Sequence, residues 1–256
     1  MSELHYTLAD LLTVAAAECW RDEGEVLATG IGLIPRLAAS LAMATHSPLL
    51  MMTDSEAFIV SEPVPVGKRN GYEPKRETWM GFARIFDNVW GGKRHALVAP
   101  NQIDRFGQTN ISCIGGTYER PKTQILGVRG YPGNSISHRN SFFVPEHSRK
   151  VFVAGEVDMV ASIGYNPARL PRGYTFDDIR IGRIITNLCA MDFGGPNRQQ
   201  RVISLHPGVS LEEIRDNTGY EIAVIDDLGE TPVPTAEQLA LISRFDPHAL
   251  RASALR

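Results

Sequence analysis

Asn101-Gln102-Ile103-Asp104-Arg105-Phe106-Gly107 and Gly127-Val128-Arg129-Gly130-Tyr131-Pro132-Gly133-Asn134 are two glycine-punctuated polar turns, each directly behind an apolar, strand-like run. A β-rich run ending in Gly, Asn and Asp puts flexible backbone and short polar side chains at the carboxyl ends of strands. Open α/β sheets place their binding crevices there. The stretch therefore predicts an α/β fold with a ligand site at these turns. Two ordinary surface turns would need the same residue types, so the choice rests on the rest of the chain.

Outward from this stretch, apolar periodicity alternates between helix and strand. Leu8, Leu11, Leu12, Ala15, Ala16 and Cys19 recur at spacings of three and four after Thr7, a helix N-cap residue, and Gly24 stands where that helix can end. A second stripe runs from Pro35 through Leu37, Ala38, Leu41 and Ala42, and a third through Phe82, Ile85, Phe86 and Val89. Six continuous apolar runs, at 49–52, 96–99, 124–128, 151–153, 184–186 and 202–205, have the character of strands buried on both faces of a parallel sheet. Near the end come a short helix after Ser210, a strand at 221–225 and a helix at 235–245 opened by Thr235. The predicted architecture is α/β, an open, mostly parallel sheet with flanking helices, in one domain over 1–256. Residues 61–77, rich in Pro, Gly, Lys and Glu, and residues 165–178 read as long loops. Trp79, Phe82, Phe86 and Trp90 are placed in the core sooner than at a subunit contact.

Composition excludes several classes. The 256 residues are 43% hydrophobic and 21% charged, enough for a sizeable core, with a net charge of -3. No basic run with interleaved aromatics offers nucleic acid an electrostatic footprint. Glu3 and Asp10 stand where a signal peptide carries positive charge, and no apolar run approaches the roughly 20 residues of a membrane span. A cytoplasmic protein is expected. Cys19, Cys113 and Cys189 are odd in number and far apart, and the seven His residues lack ligand spacing, so neither a disulfide framework nor a metal is expected.

Ala28-Thr29-Gly30-Ile31-Gly32-Leu33-Ile34-Pro35, the Asn101 to Ser112 turn ending Thr109-Asn110-Ile111-Ser112, the Gly127 to Asn134 turn and Leu205-His206-Pro207-Gly208-Val209 occur in an order that resembles β subunits of family I CoA-transferases. The similarity runs from about residue 13 to residue 224. It is closest to the glutaconate CoA-transferase type and to its relative, the β subunit of the bacterial steroid ring-opening hydrolase. The resemblance implies the CoA-transferase fold, an acyl-CoA thioester as substrate, no cofactor beyond its CoA moiety, and a homologous α subunit, as a heterodimer or an α2β2 assembly. It also implies that Gly30, Gly32, Asn101, Gln102, Asp104, Arg129, Gly130, Gly133 and Asn134 line the substrate and CoA site.

Physical chemistry gives these motifs alternatives. The backbone N–H groups of Gly30-Ile31-Gly32, entering the Pro35 helix, suit an anion or a polarised thioester carbonyl, or else form a plain strand-to-helix turn. A dinucleotide fingerprint is disfavoured because its third Gly is replaced by Pro35. Arg129 suits a carboxylate or phosphate, or a bridge from sheet to loop.

The segment Met52-Thr53-Asp54-Ser55-Glu56-Ala57 separates the reactions. CoA-transferases of this family carry Glu-x-Gly at the corresponding strand end, where the Glu attacks the thioester. Here the Glu falls on Asp54 and the Gly on Glu56, or in the other register on Glu56 and Phe58. A carboxylate one methylene shorter misses the carbonyl by about 1 Å, on the order of a hundredfold in rate. One reading keeps CoA transfer between carboxylic acids, with Asp54 or Glu56 as nucleophile and Gly30, Gly32 and Gly130 as oxyanion backbone. A second is ring-opening hydrolysis of a CoA-linked cyclic diketone, in a pocket shaped by Asn101, Asp104, Asn134 and His138, with the acid/base group mainly from the α subunit. A third is a non-catalytic sensor or assembly subunit. Asp54 and Glu56 also suit a purely structural role, capping loops or holding the α subunit.

Overall fold

The structure, a computed structural model, describes residues 5–55 and 57–255. Its contacts divide the chain into two compact units, Met1–Val98 with Pro232–Arg256, and Ala99–Thr231.

The first unit opens with α1 (Leu8–Ala17), started as its sequence predicts. The Thr7 hydroxyl accepts from Asp10 N, and the Asp10 carboxylate accepts from Thr7 N, so two orphan donors of the first turn are satisfied. β1 (Leu27–Gly30) then leads into α2 (Leu33–Ala44), which starts two residues before Pro35. A small antiparallel sheet follows from β2 (Met52–Thr53), β3 (Phe58–Val60) and β4 (Arg76–Trp79). After it come α3 (Phe82–Trp90) and β5 (Arg94–Val98), and β5 pairs in parallel with β1 from Leu27↔Arg94 to Gly30↔Leu97. The strand expected at 49–52 is largely absent. Met51 makes one parallel bridge to Leu27, and Met52–Thr53 turn back against β3 as a hairpin. β4 likewise claims Arg76 and Glu77 from the loop expected over 61–77.

The second unit begins with two small hairpins, β6 (Gln102–Ile103) with β7 (Thr109–Asn110), and β8 (Cys113–Gly116) with β9 (Pro121–Gln124). α4 (Tyr131–Ser137) delivers the chain into a sheet built from β10 (Arg139–Val144), β11 (Ile181–Thr186), β12 (Cys189–Asp192) and β13 (Arg201–Leu205). After α5 (Leu211–Asn217), capped by Ser210, β14 (Ala223–Glu230) completes it. β10–β11 and β13–β14 are parallel, while β12 is antiparallel to both neighbours. Phe142, Ile184, Ile185, Met191 and Val202 fill its core. Of the run expected as a strand at 124–128 only Gln124 is paired, because Gly127 turns the chain at φ +90°. At 151–153 only Phe152 bridges, to Ile103. Residues 165–178 hold just two short 3-10 turns.

The chain then returns to the first unit as α6 (Ala236–Phe245), opened by the Thr235 capping box its sequence predicts. Phe245 packs on Leu37 and Val66, and Arg251 bonds Asp10 at 2.7 Å and Asp246 at 3.0 Å. This half-buried ion-pair network and the apolar contact anchor the C-terminal segment to the N-terminal helices.

The aromatic cluster is a correction. Trp79, Phe82 and Trp90 are 63%, 83% and 68% exposed, and Phe86 stacks on Trp90 with ring centroids 5.1 Å apart. The apolar face of α3 therefore lies on the surface of its unit, not in the core expected for it. Among the described residues no helix is long and apolar enough to cross a membrane, and no group of three or more His, Cys, Asp or Glu could hold a metal ion. Cys19, Cys113 and Cys189 are buried, and none is joined in a disulfide among the described residues.

Candidate active site

In the first unit the two glycines of the Gly30-Ile31-Gly32 turn do different jobs. A Cβ on Gly30 would lie 2.2 Å from the Pro35 carbonyl oxygen, so α2 crosses this strand end only because no side chain is there. Gly32 caps α2 at φ +107°, a conformation side-chain-bearing residues rarely adopt. No side chain caps the helix, so its first N–H groups take no partner from a capping residue. From this first turn the Arg36 guanidinium reaches back and donates to the Thr53 carbonyl at 3.1 Å, joining the glycine turn to the Asp54 turn.

Asp54 is fully buried. Its Oδ2 accepts from Arg76 Nε at 2.8 Å, its Oδ1 accepts weakly from Phe58 N at 3.4 Å, and Arg69 donates to its carbonyl at 2.6 Å. Arg76 lies 4.9 Å from the centroid of the Phe58 ring, so cation–π contact and ion pair hold the same guanidinium. Ser55, at φ +78°, makes the reversal tight. Three arginines thus converge on one hairpin turn, and burial together with the Arg69 charge lowers the Arg36 pKa. Glu56 lies outside the described residues.

In the second unit Asp104 is buried in another way. Its Oδ1 accepts from Phe106 N at 3.0 Å and Gln108 N at 3.1 Å, which makes the 104–108 turn, and its carbonyl accepts from the Gln200 amide at 2.5 Å. Desolvation dominates: burial pushes the carboxyl pKa up to about 7 against the two amide bonds, helped by nearby Glu156. Gln102 is buried in a network with Asn110 and Asp158, and Asn101 is exposed.

The Gly127 to Asn134 turn is tied to the β7–β8 connection by Gly127 N donating to the Ile111 carbonyl at 3.2 Å, and Thr109 donates to the Tyr131 hydroxyl at 3.4 Å. Arg129 is exposed at φ +48° and makes no ion pair among the described residues. Gly130 caps α4, where a built Cβ would meet only the Asn134 side chain at 4.0 Å, and Gly133 has no atom within 4 Å of a built Cβ. The Asn134 carbonyl accepts from the Asn140 side-chain amide at 3.3 Å, and the Nδ1–H of buried His138 donates to the Arg139 carbonyl at 2.9 Å. Within each unit, then, the expected residues gather: Gly30, Gly32 and Asp54 through Arg36 in the first, and the two polar turns through Thr109 and Tyr131 in the second.

No protein-family model matches the chain. It is 39% identical over 251 residues, 98% of this chain and 99% of the relative, to the cholesterol ring-cleaving hydrolase IpdB subunit of Mycobacterium tuberculosis. The chain belongs to the IpdB family. The crystal structure of Rhodococcus jostii RHA1 IpdAB matches with a TM-score of 0.89 and 37% identity, covering 99% of this chain and 100% of that chain. Glutaconate coenzyme A-transferase from Acidaminococcus fermentans, at 22% identity, shares the fold, with a TM-score of 0.81 over 98% of each chain. This IpdB-family chain is thus a B-type subunit on the CoA-transferase fold, the family and the α/β architecture its sequence predicts.

Arg36, Arg69 and Arg76, which converge on the Asp54 turn, carry no motif in the sequence. Arg69 and Arg76 stand within the unpatterned 61–77 stretch and Arg36 on α2, and the three come together only where the turn at 53–54 meets them.

Proposed function

We propose that this chain is the β subunit of a two-subunit hydrolase that opens a carbon ring in a CoA-linked cyclic keto substrate, leaving the thioester intact. The observation that carries this reading is the state of Asp54. A carboxylate that attacks a thioester must present a lone pair to it. Asp54 is sealed from solvent, with one oxygen on Arg76 and the other turned to Phe58 N, and so acts as the clasp of its hairpin. The 39% identity to a ring-cleaving hydrolase subunit supports the same choice over CoA transfer.

On this reading the acid/base group comes mainly from a homologous α subunit, and this chain offers the Gly30–Gly32 backbone in its first unit and the polar turns at 101–107 and 127–134 in its second. The acyl-CoA needs no cofactor beyond its own CoA. The exposed α3 aromatics supply apolar surface of the kind a subunit contact covers. Three buried cysteines outside any disulfide fit a reducing compartment, and we place the enzyme in the cytoplasm.

The test is product analysis with the chain co-purified with its α subunit and supplied with a panel of ring-containing keto-acyl-CoAs. A product that keeps its CoA and gains one water supports the hydrolase. CoA moved to an added carboxylic acid, with no water gained, establishes the transferase instead.

A further inference from the structure

The Asp54 turn carries more positive charge than its carboxylate takes up. Of the three arginines on it, Arg76 is the one bonded to the Asp54 carboxylate. Arg36 and Arg69 each donate instead to a main-chain carbonyl, of Thr53 at 3.1 Å and of Asp54 at 2.6 Å, and neither has a carboxylate within ion-pair distance among the described residues. A carbonyl accepts one N–H and cancels no charge. Both residues are half-buried, and each guanidinium keeps further N–H donors beyond this one bond. The two charges also act on each other: after burial, the nearby Arg69 charge lowers the Arg36 pKa.

Both cations are held from outside the turn. Arg36 stands in the first turn of α2, where its backbone N–H donates to the Gly32 carbonyl at 3.1 Å, so it adjoins the Gly30–Gly32 backbone. Arg69 lies on a loop pinned to the C-terminal segment, with Val66 N donating to the Phe245 carbonyl at 2.8 Å and His248 Nε2 donating to the Lys68 carbonyl at 3.1 Å. Tying a turn to a helix and a loop needs no charge, since a neutral amide also donates to a carbonyl. Two guanidinium groups brought together as they leave water are costly unless an anion shares them. The arrangement is a fixed pair of forked cations, a geometry that matches a carboxylate.

Hydrolytic opening of a cyclic diketone makes that anion. The oxygen of water bonds to one ring carbonyl carbon, and the neighbouring carbon–carbon bond breaks. Its electron pair leaves on the other carbon as the enolate of the second ketone, and that carbon takes a proton. The former carbonyl carbon becomes a carboxyl group, which ionises at neutral pH. The closed ring has no charge at this carbon, so a cation pair there favours the opened state over the closed one. We propose that Arg36 and Arg69 form the subsite that receives the carboxylate made by ring opening, an inference that rests on the ring-opening reading above.

The experiment is isothermal titration of the co-purified two-subunit complex with dicarboxylic acid mono-CoA thioesters, from succinyl-CoA to suberyl-CoA, each beside the fatty acyl-CoA of the same chain length. The readout is the ratio of the two affinities, because a general loosening of the turn lowers both alike. Wild type should prefer the carboxylated member, and Arg36→Gln and Arg69→Gln should each cut that preference about tenfold, the loss of a charge-assisted hydrogen bond. Glutamine keeps an amide for the carbonyl, so a purely structural role would leave the ratio unmoved. Arg69→Lys, which keeps the charge, should keep part of the preference. Equal affinity within every pair, or a preference unchanged in both glutamine variants, overturns the subsite and leaves the acyl-CoA reading standing. A wild-type complex that binds no CoA thioester overturns both.

Discussion

Asp54 and Asp104 are both buried aspartates in tight turns, one in each unit, and they are held by different partners. Asp54 has a guanidinium against its carboxylate and two more arginines on its turn, whereas Asp104 has two backbone amides and no cation in contact. The amides do not offset the cost of burying a charge, and the Asp104 carboxyl rises to about 7. Burial alone therefore does not decide what a carboxylate can do. A cationic partner turns it into a fixed clasp, and a set of N–H donors leaves it able to exchange a proton near neutral pH.

The largest expected effect comes from removing the cation. Arg76→Ala leaves Asp54 buried without its ion pair, and denaturation of the purified complex should show a loss of about 3 kcal/mol, the low end for broken buried pairs because Arg76 is 36% exposed. Adding Asp54→Asn to it should recover part of that loss, and the double-mutant cycle would then read the coupling. An Arg76→Ala protein as stable as wild type would break the contrast.

Next in size is a pH dependence. With a folded pKa of about 7 against the ordinary carboxyl value of 3.8, native Asp104 keeps its proton where the unfolded chain has lost it. Its contribution is thus fully present below about pH 4 and is lost as pH rises to about 7. Asp104→Asn should remove that downward slope from the stability curve between these limits while keeping an oxygen for both amides. An unchanged slope would place the titration elsewhere. The smallest effect sharpens the comparison: Glu156, whose charge helps raise the Asp104 pKa, should on Glu156→Gln move the midpoint of that slope to lower pH.

What the sequence made legible follows from the range of the interactions involved. Thr7, Ser210 and Thr235 announce their helices because a cap bonds only three residues away. The runs at 96–99 and 184–186 announce β5 and β11 because those strands are mostly buried, and the run at 202–205 announces β13 although only Val202 of it is fully buried. The strands β10 and β12 escaped, and so did the antiparallel sense of β12, since an apolar run carries no direction. The aromatic face of α3 misled for a related reason: an amphipathic helix has the same spacing whether its apolar side meets its own core or faces outward. At the site, the glycine turns were readable from local geometry. The arginines on the Asp54 turn were not, because Arg36, Arg69 and Arg76 are brought together across 41 residues by a hairpin and a helix crossing a side-chain-free strand end.

The most direct test of Asp54 as clasp is intact-protein mass spectrometry of the co-purified complex after incubation with ring-containing keto-acyl-CoAs, with borohydride or hydroxylamine trapping and peptide mapping of residues 52–60. The account predicts no CoA adduct on this chain while hydrated, CoA-bearing product accumulates. A trapped, hydroxylamine-sensitive CoA thioester at Asp54 or Glu56 would contradict it.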